Sequence, residues 1–356
     1  MNYIGSKYSL LPFLDTSIHS VIDKNCKVFC DLFAGTGVVG RYFKEKGFQV
    51  IANDLQHYSY VLNRHYIGNT KPLKFDALCS LIPALKTIDP PARMEWICNY
   101  LSKLKPLEGF IYRHYSAAGT ANDAEQRMYF SDDNAAMCDA VRTQIEQWYI
   151  DAQINEDEYY FLLASLIESI DKVANTASVY GAYLKQLKPA AQKKFMLLPA
   201  QLFCSNEAQH VFWGDSNALI KNISCDILYL DPPYNKRQYA PNYHLLETIS
   251  LYDAPNIKGK TGLRNYENQK SDYSKSNKVL NAFESLINNA HARYIFLSYN
   301  NEGLMDSSAI KSIMQNRGNY QLFTQQYNRF KADKDHLRNH KAAHTFEYLH
   351  FVEITR

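Results

Sequence analysis

Asp231-Pro232-Pro233-Tyr234 brings together residue types suited to one chemical task. Two consecutive prolines fix the backbone and carry no N–H, so their carbonyls remain as outward-facing acceptors. A carboxylate and a rigid carbonyl can then both accept hydrogen bonds from one NH2 group. An exocyclic amine on a heteroaromatic ring needs such partners. Its lone pair is delocalised until the nitrogen is drawn towards tetrahedral geometry, and acceptors placed for that geometry favour the transition state. Tyr234 adds an aromatic face on which an extruded base can stack. Asp231, Pro233 and Tyr234 are therefore the expected catalytic group for in-line methyl transfer to an amine, with orientation and charge contributing more than basicity. A turn that merely ends a strand would leave the acid before the prolines and the aromatic after them unexplained.

A second constellation lies two hundred residues upstream. In Asp31-Leu32-Phe33-Ala34-Gly35-Thr36-Gly37-Val38-Val39-Gly40, the glycines satisfy G-x-G-x-x-G, and Asp54 closes the next apolar run. Glycines let the backbone approach a cofactor closely, and the acid can accept bonds from ribose hydroxyls. This geometry serves NAD or FAD as well as S-adenosyl-L-methionine (AdoMet). Asp31 leans towards AdoMet, because an acid just before the glycines repels a pyrophosphate and attracts a sulfonium or amino group. Phe212-Trp213-Gly214-Asp215 offers a further acid. Asp215 is either a partner for a cofactor's adenine amine or the N-cap of a helix opening at Ser216.

These residues need a scaffold. Val28–Leu32, Phe48–Ala52, Asp226–Leu230 and Arg293–Leu297 are short apolar runs with polar residues clustered at their carboxyl ends. Strands buried on both faces of an open α/β sheet have this pattern, with ligands at that end. Tyr320–Tyr327 and Phe346–Ile354 read as paired edge strands. Residues 71–199 are too many for one crossover and carry helical signals. Met137, Val141, Ile145 and Trp148 fall on one helix face behind Asn134, and Asn155 with Glu158 forms a capping box ahead of another apolar series. The expected organisation is a Rossmann-like α/β catalytic domain from 1–70 and 200–356, with a mostly helical insertion at 71–199. Pro90-Pro91 and Pro189 are candidate joints.

The chain of 356 residues is 46% hydrophobic and 21% charged, enough for a sizeable core. Net charge is 39 − 36 = +3, so a nucleic-acid partner has to be read from local clusters. Lys236, Arg237 and Tyr239 follow the proline loop; Lys258, Lys260, Arg264 and Lys270 share a polar stretch; Arg329, Lys331, Lys334, Arg338 and Lys341 fall between the last two strands. All three clusters are expected phosphate contacts for duplex DNA. Tyr180–Lys185 reads either as a loop reaching DNA or as a buried helix end. The seven cysteines lack a C-x-x-C spacing and suit reduced thiols of a cytoplasmic protein, with no metal site expected. No apolar run is long enough to span a membrane.

In order along the chain, three motifs resemble those of the Dam-like, alpha-group N6-adenine-specific DNA methyltransferases, above all restriction–modification members. They are Asn2-Tyr3-Ile4-Gly5-Ser6-Lys7, Phe33-Ala34-Gly35-Thr36-Gly37, and Asp231–Tyr234 with its continuation from Asn235 to His244. The resemblance implies a mixed seven-stranded methyltransferase sheet ending in an antiparallel hairpin. It implies AdoMet contacts from Tyr3, Lys7, Phe33, Gly35, Gly37, Asp54 and Asp231. It also implies target recognition by the insertion and a cognate restriction endonuclease as a candidate partner. Adenine in DNA as the target rests on this resemblance, whereas the amine chemistry rests on the residues. Two other readings stay open. A ribosomal RNA base-amine methyltransferase shares the proline loop, though the N-terminal motif and insertion favour DNA. An NAD-dependent oxidoreductase shares the glycine loop but leaves the prolines unexplained.

Overall fold

A computed structural model describes residues 4–328 and 344–355. The chain forms two compact units, one of Gly5–Tyr60, Ser205–Tyr239 and Glu267–Arg356, the other of Met1–Ile4, Val61–Cys204 and Ala240–Tyr266.

Strands β1 (Val28–Asp31), β2 (Gln49–Asp54), β3 (His210–Trp213) and β4 (Ser224–Leu230) belong to the first unit. Next in chain order comes a short ribbon of the second unit, β5 (Ile257–Lys258) with β6 (Leu263–Arg264). The first unit resumes with β7 (His291–Asn300), β8 (Gly318–Asn328) and β9 (His344–Ile354). Its seven-stranded sheet has the order β3-β2-β1-β4-β7-β9-β8. The first five strands run parallel, and β9 is antiparallel to both neighbours.

The apolar runs become central strands because both faces of the sheet are covered. Leu228, Leu230, Ile295 and Leu297 share a buried cluster with Phe283, Leu286 and Ile287 of helix Val279–Asn289 and Ile310 and Met314 of helix Ser307–Gln315. Phe29 of β1 stacks on Phe43 of helix Val38–Glu45 at 3.9 Å between ring centres.

Two features of the sheet depart from the sequence reading. β3 had no strand signature, because it is an edge strand of four residues whose apolar run, Val211 to Trp213, is too short to mark a strand. Of the two late strands, only β8 lies at the edge. β9 sits between β7 and β8, burying Leu349, Phe351 and Val352.

The second unit is mostly helical, with Pro90–Leu101, Phe110–Tyr115, Asp132–Ile150, Glu156–Lys172 and all but the first residue of Tyr239–Leu251 among its helices. The Asn155–Glu158 capping box is present in both directions, each bond 3.0 Å. Helix Asp132–Ile150 starts earlier than expected. Ser131 caps it, and Asn134 lies inside, donating to the carbonyls of Ala191 and Lys193 and accepting from Phe195 N–H. Pro90 is the first residue of a helix, where its missing N–H costs nothing, rather than a joint. Ala240–Tyr266, downstream of the proline loop, clusters with this unit and not with the sheet.

Candidate active site

Parallel pairing brings the carboxyl ends of β1, β2 and β4 to one edge, with Asp31 opposite both Ala52 and Tyr229. Asp31, Asp54 and Asp231 therefore gather where open α/β sheets bind ligands. The loop after β1 turns through Gly35 (φ 53°) and Gly37 (φ 76°), backbone angles that disfavour any residue with a Cβ. Gly37 caps helix Val38–Glu45, and Gly40 N–H in its first turn donates to Asp31 Oδ2 at 3.1 Å. Asp54 accepts from Gly35 N–H (2.8 Å) and Gln56 N–H (2.9 Å), which ties the glycine loop to the end of β2. Phe33 is half-buried, edge-on to Tyr273.

Asp231 follows β4 and keeps 20% of its side chain exposed. Its Oδ1 lies 3.1 Å from Lys7 Nζ, which also donates to Glu347 Oε1 at 2.8 Å. Glu347 is 1% exposed and takes a second hydrogen bond from the Ser298 hydroxyl on the same oxygen. Burial alone would pull the Lys7 ammonium down, but Asp231 and Glu347 overcome it and hold its pKa well above the ordinary value. Burial pushes Asp231 up to about 6 against the opposing pull of Lys7. Asp31 has no cation of its own among the described residues, and burial followed by repulsion from Asp231 pushes it up to about 8. Asp54 is raised by burial, opposed by its backbone N–H donors. Tyr234 is half-buried, its phenol raised by burial, and its carbonyl accepts from Leu304 N–H at 3.0 Å.

The remaining expected residues are placed less uniformly. Asp215 caps the helix at Ser216, accepting from Ala218 N–H at 2.9 Å, so the capping geometry read from sequence is present. Lys236 and Arg237 are exposed, on a stretch pinned by reciprocal bonds between the Gln238 side chain and the Ser271 backbone. Tyr239 is half-buried, with its hydroxyl against Gly5. In the second unit, Lys258 and Lys260 are exposed, and Lys260 pairs with Glu125 at 3.4 Å. Arg264 is instead buried, its guanidinium committed to both oxygens of Asp253 at 3.1 and 2.8 Å. Tyr180 is buried too, donating its hydroxyl to Asp171 and its N–H to the Asn242 carbonyl, while Gly181, Ala182, Leu184 and Lys185 stay exposed. Tyr3, Arg329, Lys331, Lys334, Arg338 and Lys341 lie outside the described residues.

Sequence reasoning missed Glu347. Its partner Lys7 is 340 positions away, and no local pattern encodes such a pair. A weaker signal was available, since Glu347 shares the inward alternation of Leu349 and Phe351 on β9, and a charge at an inward position needs a reason.

A mainly parallel sheet with a final antiparallel hairpin, a glycine loop after its first strand and an acid–proline loop after its fourth define an α/β methyltransferase. The model of the D12 class N6 adenine-specific DNA methyltransferases matches residues 3–313, and the chain belongs to that family. It is 52% identical to type II methyltransferase M.NlaIII of Neisseria lactamica over 357 residues, the whole of both chains. It is 37% identical to type II methyltransferase M.FokI of Planomicrobium okeanokoites, over 99% of this chain and 52% of that one. With type II methyltransferase M.CviAII of Paramecium bursaria Chlorella virus 1 it shares 34% identity, over 99% and 98% of the two chains. The enzyme is thus an adenine-specific DNA methyltransferase acting on N6, and its substrate is DNA. Among the described residues no helix is long and apolar enough to cross a membrane.

Proposed function

We propose that the methyl donor is AdoMet, held at the carboxyl ends of β1, β2 and β4, and that Asp231, Pro233 and Tyr234 act on a flipped adenine. The observation that carries this reading is the gathering of Asp31, Asp54 and Asp231 with Lys7 as the single cation beside Asp231 among the described residues. The donor set fits the group, because a surplus of buried carboxylate invites a cationic ligand and disfavours a pyrophosphate. Asp54 would accept from the ribose hydroxyls, and Asp31 would face the positive amino acid end. Phe33, Gly35 and Gly37 would line the path, Lys7 would add its remaining N–H, and Asp215 would face the adenine. Tyr3 is proposed with them on the resemblance alone. AdoMet, when bound, supplies an electrophilic methyl group.

The protein's part is to prepare the amine. Lys7 occupies Oδ1 of Asp231, leaving Oδ2 to accept from the adenine NH2 alongside a proline carbonyl of the loop. That pair draws the nitrogen out of conjugation. Tyr234 stacks on the extruded base, and Asp231, with a pKa near 6, accepts the proton shed after transfer and releases it near neutral pH. Duplex DNA would be held through phosphates by Lys236, Arg237, Tyr239, Lys258 and Lys260, with the helical unit reading the target sequence. Arg329, Lys331 and Arg338 would add further phosphate contacts, whereas the buried pair with Asp253 takes Arg264 out of that set. A cognate restriction endonuclease acting on the same site, within the cytoplasm, completes the proposal and draws on the names of the relatives.

Asp231→Asn keeps the shape and removes the charge. Methyl incorporation into duplex DNA should fall to background with AdoMet binding still measurable by calorimetry; undiminished incorporation would contradict the assignment.

A further inference from the structure

We infer that Glu347 is a positioning residue for methyl transfer: by sharing the Lys7 ammonium with Asp231, it sets how much of the Asp231 carboxylate is left to accept the target amine. The geometry is specific. One buried ammonium lies 2.8 Å from Glu347 and 3.1 Å from Asp231, and the Ser298 hydroxyl donates to the Glu347 oxygen that Lys7 touches. Each of the three residues comes from a different part of the unit. Lys7 stands before the first helix, Ser298 on β7 and Glu347 on β9, where it lies opposite Asn300 in the ladder.

The arrangement makes sense as a balance. An ammonium paired with Asp231 alone would be held close to it, neutralising the charge that must act on the substrate. A second carboxylate on the same ammonium draws part of that interaction away, and Ser298 in turn tempers Glu347. Neither Glu347 nor Ser298 needs to touch substrate, since both act through Lys7. A purely structural role would need one carboxylate to satisfy a buried lysine, whereas two are supplied and one of them is the proposed catalytic acid.

The groups facing Asp231 are Lys7 before the first helix, Asp31 on β1, Tyr229 on β4, Tyr234 in the loop and Glu347 on β9. Both phenols are pushed up by burial and stay neutral across the range in question. Asp31 is pushed up to about 8 in the ligand-free protein and is common to every variant compared, so it does not distinguish them. The acid limb of the rate profile then reports Asp231 as set by Lys7 and Glu347, which act in opposite directions on it.

The inference rests on Asp231 being catalytic, so the test runs Asp231→Asn beside it. Single-turnover methyl transfer is measured against pH with DNA and AdoMet saturating, for the parent enzyme, Glu347→Gln and Ser298→Ala. Glu347→Gln removes the competing charge, and the acid limb should move down by about one pH unit. Its plateau rate should fall about tenfold, as Lys7 closes on Asp231, with affinity for DNA unchanged. Ser298→Ala strips a donor from Glu347, and its acid limb should move up. An unchanged limb in Glu347→Gln would overturn the inference. If that variant does not fold, an unchanged limb in Ser298→Ala does so. Parental rates in Asp231→Asn would instead bring down the reading of the site itself.

Discussion

At the residue scale, charge is unevenly compensated. Asp231 has Lys7, whereas Asp31 accepts from Gly40 N–H at the start of a helix, and burial lifts it to about 8 from the ordinary 3.8. A folded-state pKa above the unfolded one means that the folded protein holds an extra proton between those values. Stability attributable to Asp31 is therefore greatest below about 3.8 and declines as pH rises towards about 8. A cationic ligand favours the ionised form and expels that proton. Calorimetric titration with AdoMet at pH 7, in buffers of differing ionisation enthalpy, should show proton release that disappears in Asp31→Asn. Heats independent of buffer would count against Asp31 as the partner of the cationic group. That Asp31, Asp54 and Asp231 come to one edge of the sheet was legible because each stands at the carboxyl end of an apolar strand. The contacts of Glu347 with Lys7 and Ser298 were not, since they are made across the fold.

At the element scale, legibility followed local interactions. The central strands showed as apolar runs, and the capping box at Asn155 showed because both of its bonds close within four residues. Glu158 also accepts from Phe75 N–H, and Phe75 sits in a left-handed conformation (φ 52°), so the cap serves a distant loop as well. Asn155→Ala should destabilise the protein by about 1 kcal/mol in chemical denaturation, the usual worth of an N-cap. No change would mean the helix is held by packing alone. β3 and the interior place of β9 escaped the reading for opposite reasons. The first is an exposed edge of four residues, too short for its apolar run to mark a strand; the second has the pattern, but ladder order depends on partners and not on the strand's own residues.

At the scale of the whole molecule, motif order along the chain announced the sheet and a large helical insertion between β2 and β3. It did not announce that Ala240–Tyr266 belongs with the helical unit, because that membership is made of contacts with Val61–Cys204. Net charge of +3 was a poor guide to a protein whose substrate is DNA, since Arg264 spends its charge on Asp253 while Lys236 and Arg237 keep theirs at the surface. The account as a whole predicts one product. Genomic DNA from cells otherwise free of adenine methylation, made to express the enzyme, should carry N6-methyladenine at a single short sequence, and none when Asp231→Asn is expressed. Methyl groups on ribosomal RNA or on another base of DNA, or methylated adenine persisting in the variant, would contradict it.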